Sequence, residues 1–182
     1  MKVFLDACVL YPTVLREILM GVAGAGAFQP QFSPRVLEEW AGAAARLGPE
    51  GEAVARGEIA LLRSQWPGAE VQPRERDLAR LWLPDANDVH VLAGAIVGGA
   101  DVLCTFNAKD FPRRTLTEEG IERLDPDQLL GRLMPGHRPA IAEVVARVHA
   151  TAERLSGEEI PLRGLLKRAR LPKLGKSLRP QD

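Results

Sequence analysis

Asp85-Ala86-Asn87-Asp88-Val89-His90-Val91-Leu92-Ala93-Gly94-Ala95-Ile96-Val97-Gly98-Gly99-Ala100-Asp101-Val102-Leu103-Cys104-Thr105-Phe106-Asn107 is the stretch that decides the fold. Val91 to Val97 reads as a mostly apolar helix closed by Gly98-Gly99, and Val102 to Phe106 as a short apolar strand. A strand without polar alternation needs cover on both faces, the setting of a central strand in a parallel sheet. Val3-Phe4-Leu5 repeats that pattern at the start of the chain, so helix and parallel strand alternate and the class is α/β.

Outward from these two strands, Val14 to Met20 has helical spacing ending at Gly21, and Phe28 to Phe32 is a candidate second strand. The Gly21-Val22-Ala23-Gly24-Ala25-Gly26 run follows a helix and lacks a Lys-Ser/Thr ending, so it reads as helix termination rather than a nucleotide loop. Ser33-Pro34 starts a helix carrying Val36, Leu37 and Trp40, and a second helix after Gly48-Pro49 runs to about Trp66. Glu70-Val71-Gln72 is a weak edge strand, Arg74 to Leu83 a short helix or turn, and Ile121 to Leu124 a last strand. Asp125-Pro126-Asp127-Gln128 is a capping sequence for a helix expected to stop by Pro135-Gly136, before a regular amphipathic helix from Pro139 to Leu155.

The 182 residues and 46% hydrophobic content suit one folded domain plus an extension. No apolar run approaches a membrane span, and Asp6 comes too early for a signal peptide, so a cytoplasmic location is expected. Cys8 and Cys104 are too few for a disulfide framework or zinc site and read as small packing residues. His90, His137 and His149 are isolated, and no nucleophile triad is present. Net charge is zero, with 24 basic and 24 acidic residues, but the stretch from Gly157 to Asp182 holds seven basic residues against three acids.

Four acidic segments fall at element ends: Asp6; Glu38-Glu39; Asp85-Ala86-Asn87-Asp88; and Asn107-Ala108-Lys109-Asp110. In an open parallel sheet, functional groups gather beyond the carboxyl ends of the strands, where Asp6 and Asn107 lie. A cluster of carboxylates there calls for a hard cation. Capping competes with that reading: Asp85 with Asp88 three residues on resembles a capping box, which leaves Asp88, one turn inside, free to project toward a metal. Spacing alone does not choose between Glu38 and Glu39.

Taken in order, these segments resemble the PIN-domain family, the fold of toxin ribonucleases of the VapC type. The resemblance covers Met1 to about Leu130. It rests on Val3 to Leu10, Ser33 to Trp40, Pro84 to Ala95 and Ala100 to Pro112. It favours Glu39 over Glu38 and puts Asp88 in the principal metal-binding place. Many PIN domains have Asp where this chain has Asn107.

The resemblance implies a three-layer α/β/α fold with a central, mostly parallel sheet over residues 1–135, and a helical extension with a basic tail over 136–182. It implies Mg²⁺- or Mn²⁺-dependent hydrolysis of RNA. Asp6, Asp88 and Glu39 would hold an ion, and Asp85, Asn107 and Asp110 would orient a water or support a second ion. Arg16 and Lys109 are candidates for the RNA backbone. A cognate antitoxin and a homodimer are the implied partners. Two rivals stand beside this reading. One is a PIN scaffold that binds without cutting. The other is a phosphoacceptor receiver domain using Asp6, Thr105 and Lys109, although it lacks an acidic pair before Asp6.

Overall fold

The computed structural model describes residues 1–178. In chain order the elements are β1 (Lys2–Leu5), α1 (Ala7–Leu10), α2 (Thr13–Gly24), β2 (Gln29–Gln31), α3 (Pro34–Ala45), α4 (Pro49–Gln65), α5 (Glu75–Ala79), α6 (Val89–Gly98), β3 (Val102–Cys104), α7 (Arg113–Glu118), β4 (Glu122–Leu124), α8 (Pro126–Ser156), α9 (Leu162–Arg168) and α10 (Pro172–Ser177). The chain forms two compact units, one of Met1–Tyr11 with Gln29–Leu124, the other of Pro12–Phe28 with the chain from Asp125 onward.

The first unit holds a four-stranded sheet in the order β2-β1-β3-β4, parallel throughout. β1 and β3 are the inner strands, and Val3, Phe4 and Leu5 pair in register with Val102, Leu103 and Cys104. All six are buried. Successive strand residues point to opposite faces, so a strand buried at every position is covered on both. The segment at Glu70 joins the edge beside Phe32 through a single parallel bridge, which is the weak edge strand expected at Glu70 to Gln72. Counting it, the strand positions run 3-2-1-4-5 in chain order. A receiver domain runs 2-1-3-4-5, so the topology removes that rival.

Gly94 lets α6 lie directly on β1. A Cβ built there would sit 2.5 Å from Cζ of the fully buried Phe4. The Ser33 hydroxyl accepts from the Val36 amide at 3.3 Å and Pro34 follows, so α3 starts where the sequence placed it. α6 closes at Gly99, in the left-handed conformation.

In the second unit α2 runs through Gly21 to Gly24, three residues past the expected stop. Gly21 is there for close approach: its Cβ would lie 2.6 Å from Val144 Cγ1 of α8. The Asp125–Gln128 capping box forms as expected. The helix that it starts gives way at His137, the one non-helical residue of the span Pro126–Ser156 (φ −133°), directly after Pro135-Gly136, and a second helical segment follows through Pro139 to Ser156, as the sequence led one to expect. Each proline removes a backbone donor, which weakens the ladder on both sides of this break. The tail packs its Leu165, Leu166, Leu171 and Leu174 inward. Asp127 accepts from the backbone amides of Lys173 and Leu174, each at 2.9 Å, and caps α10. Arg179 and Asp182, counted with the tail above, lie outside the described residues.

Replacing Gly94 by Ala forces a methyl into the Phe4 ring and should destabilise the protein by about 1–3 kcal/mol despite the better helix propensity of Ala. Gly57→Ala, in α4 with no atom within 4 Å of its Cβ position, should instead gain up to about 1 kcal/mol. Urea unfolding of the two variants checks this opposition in sign.

Candidate active site

Asp6 ends β1 and is 7% exposed. Its Oδ2 accepts from the Thr105 hydroxyl at 2.6 Å and from the Cys8 thiol at 3.1 Å. The Asn107 amide in turn donates to Thr105 Oγ1 at 2.9 Å, and the Phe106 amide to Cys8 Sγ at 3.3 Å. Burial and the neighbouring Asp6 charge push the Cys8 thiol up to about 12, so it stays a proton donor. Cys8 therefore does more than pack, whereas Cys104 is an ordinary core residue.

Asp85 caps the 3-10 turn Ala86–Asp88, its Oδ1 accepting from the Asn87 amide at 2.9 Å. Asp88 makes no cap bond and instead accepts at Oδ2 from Asn107 Nδ2, at 2.7 Å. The split between a capping Asp85 and a free-standing Asp88 is thus present in the structure. Partial burial raises the Asp88 carboxyl to about 6, helped by the charges of Asp6, Asp85, Asp110 and Glu39 in that order. Carboxylates from all four acidic segments thereby act on one group.

Glu38 and Glu39 go different ways. Glu38 pairs with Arg56 of α4 at 3.3 Å. Glu39 lies 3.6 Å from Arg35 and, through Oε1, 2.7 Å from Nε2 of the buried His90 on α6. That contact is a close approach rather than a directed hydrogen bond, because neither ring nitrogen of His90 has an aligned partner. The loop after β3 is fastened from β4, where Arg123 Nη1 donates to the carbonyls of Ala108, at 2.6 Å, and Phe111. On that loop Lys109 is exposed and has no hydrogen bond or ion pair among the described residues. Arg16 belongs to the second unit and is buried, 3% exposed, so it does not offer a surface cation to an RNA backbone.

The donors are all hard oxygens. Asp6 Oδ1, Asp88 Oδ1 and Glu39 Oε2 have no hydrogen-bond partner among the described residues. Such a set fits a hard divalent cation in chemistry and charge. No three of the His, Cys, Asp and Glu side chains among the described residues are already drawn together around one point, so binding would have to gather them.

Thr105, Cys8 and Arg123 have positioning roles that the sequence reading missed. Their signal was adjacency: Cys8 follows Asp6 by two residues and Thr105 precedes Asn107 by two, at the ends of neighbouring strands. His90, isolated in the sequence, is buried against Glu39.

A family profile described as the PIN domain matches residues 2–109, more than half of the chain. The chain belongs to the PIN-domain family, whose fold is a nuclease fold. No curated protein and no solved structure matches it. The match takes in Asp6, Glu39, Asp85, Asp88 and Asn107 and ends one residue before Asp110.

Asp88 gives a stability prediction for the metal-free protein. Its folded pKa lies above the unfolded value, so the folded state holds the extra proton, and stability falls as pH rises from about 4 to about 6 and then levels. Asp88→Asn removes the repelled charge. In EDTA at about pH 7.5 the variant should be more stable by on the order of 1 kcal/mol, a figure reduced for solvent screening, and at about pH 4 the gain should vanish. Thermal unfolding at the two pH values measures it, and an unchanged or lower Tm at the higher pH would contradict the account.

Proposed function

We propose that this protein is a Mg²⁺- or Mn²⁺-dependent endoribonuclease that hydrolyses RNA phosphodiester bonds, acting as the toxin of a toxin–antitoxin pair. The observation that carries the reading is that Asp6, Asp85, Asp110 and Glu39 all lie near enough to Asp88 for their charges to raise its carboxyl, while Asp6 and Asp88 each keep one oxygen without a hydrogen bond among the described residues. Asp6, Asp88 and Glu39 would hold the ion. A divalent cation bound there supplies an activated water and stabilises charge on the scissile phosphate.

The chain's own groups do the rest. Thr105 and Cys8 fix Asp6 through one oxygen, Asn107 fixes Asp88 through one oxygen, and Asp85 is held by its cap bond. An RNA phosphate is repelled by this many carboxylates until they are neutralised, which couples substrate approach to ion binding. Lys109, exposed on the loop beside Asp110, would be a contact for the RNA backbone.

A second reading, a PIN scaffold that binds RNA or protein without cutting, is favoured by one observation: the acids are not gathered around a point. Mn²⁺ separates the two. For the nuclease, Mn²⁺ should raise the Tm of the native chain and support RNA cleavage, and Asp6→Asn or Asp88→Asn should each lower cleavage by at least about 100-fold with an unchanged circular dichroism spectrum. Full cleavage in either variant would overturn the assignment, and an absent Mn²⁺ shift with no cleavage would favour the scaffold. For the toxin role, expression should arrest growth, with relief by a protein encoded beside it. Sedimentation tests the homodimer.

A further inference from the structure

We propose that α9, α10 and the turn between them form a second RNA contact, a cationic surface on the C-terminal unit that holds single-stranded RNA by its phosphates. The choice of RNA rests on the function proposed above, but RNA binding here does not depend on cleavage.

Charge is segregated into this segment. Of the chain's 24 Lys and Arg residues, six lie between Ile160 and Leu178, and none of its 24 acids does. Leu165, Leu166, Ala169, Leu171 and Leu174 are buried, while Arg163, Lys167, Arg168, Arg170, Lys173 and Lys176 are exposed. Asp127 reaches the segment, and both its oxygens are taken by backbone amides at the start of α10, while Glu153 accepts from the Ile160 amide. Asp127 caps the helix through these backbone amides rather than through a side-chain cation.

Several exposed arginines elsewhere are paired, although Arg46, Arg113, Arg147 and Arg154 are exposed without an ion pair among the described residues. Arg35, Arg56, Arg63, Arg74, Arg80 and Arg114 each sit beside an acid. Arg163, Lys167, Arg168, Lys173 and Lys176 have neither an ion pair nor a side-chain hydrogen bond among the described residues. Helix capping accounts for part of this set, since Lys167, Arg168 and Lys176 lie in last turns, where the helix dipole favours a cation. It does not account for Arg163 and Lys173. Both lie in first turns, where the dipole disfavours positive charge, so helix stability gives no reason for them.

A polyanion does give a reason. An anionic membrane fits less well, because a helix that lies on a bilayer needs an exposed apolar face and here the leucines point inward. The segment from Ile160 to Leu178 has no aromatic residue on which bases could stack, so the contact is to the backbone, tolerant of sequence and steeply salt-dependent.

The test uses the full chain in EDTA, so that nothing is cleaved, with a labelled single-stranded RNA of about 20 nucleotides read by fluorescence anisotropy. The triple variant Arg163→Gln, Lys167→Gln, Lys173→Gln should bind at least about 10-fold more weakly at about 50 mM salt, and its slope of log affinity against log salt should be shallower by about 2. These side chains are exposed, and circular dichroism checks that the fold is retained. Unchanged affinity and slope would overturn the proposal. So would variant-sensitive binding to phosphatidylglycerol vesicles with RNA binding unaltered. Loss of RNA binding in the triple variant, with no cleavage by the native chain in Mn²⁺, would sink the nuclease reading alone; cleavage with unaltered binding would sink this one alone.

Discussion

One carboxylate oxygen fixes the frame of the site. Asp6 Oδ2 takes the Thr105 hydroxyl and the Cys8 thiol, so the end of β1 and the end of β3 are tied by side chains as well as by the ladder, which continues through the Asp6 amide to the Cys104 carbonyl at 3.2 Å. A buried carboxylate without donors is costly, and here two donors act on the same atom. Sharing one oxygen leaves the other unpartnered. The interaction that makes burial of Asp6 tolerable therefore also keeps half of its carboxylate available for a ligand.

The same economy recurs at Asp88 and Glu39. Asp88 has one oxygen hydrogen-bonded by Asn107 and one without a partner, and Glu39 has one oxygen 2.7 Å from His90 Nε2 and the other without a partner. The elements that present these acids are neighbours: α6 lies on β1 through Gly94 and carries His90 two residues after Asp88. Packing at Gly94 thus bears on the position of His90, and through it on which way Glu39 faces. Glu38, one residue away on the same helix, is drawn off by Arg56 instead.

The inner strands, the α3 start at Ser33-Pro34 and the Asp125 capping box were legible because each depends on local chemistry: apolar runs, a hydroxyl before a proline, an acid three residues before a glutamine. Gly21 was misread for a complementary reason. Its role is contact with Val144, which is 123 positions away in the chain, and helix-stop statistics carry no information about a partner so remote. The break between Pro135-Gly136 and Pro139 was legible for the same local reason as the caps, since two prolines four positions apart weaken the helical ladder on either side of His137. At the site, the choice between Glu38 and Glu39 needed Arg56 and His90 in place, and the split between Asp85 and Asp88 needed the 3-10 turn.

Asn107 is where sequence comparison and physical chemistry pull apart. By resemblance it is a missing carboxylate. In the structure its amide donates to Asp88 while its backbone supports Thr105, so one residue links the two acids that end different elements. An Asp at this position could not donate to Asp88 when ionised and would add a further negative charge to a carboxyl already raised to about 6. The metal-free site would then be harder to hold together, and a bound cation would have more charge to attract it. Asparagine moves that balance toward a candidate site of lower charge, in which Asp88 is oriented by a hydrogen bond rather than by an ion. On that argument the amide does not by itself mark a silent scaffold, because what it removes in charge it returns as a fixed orientation for Asp88.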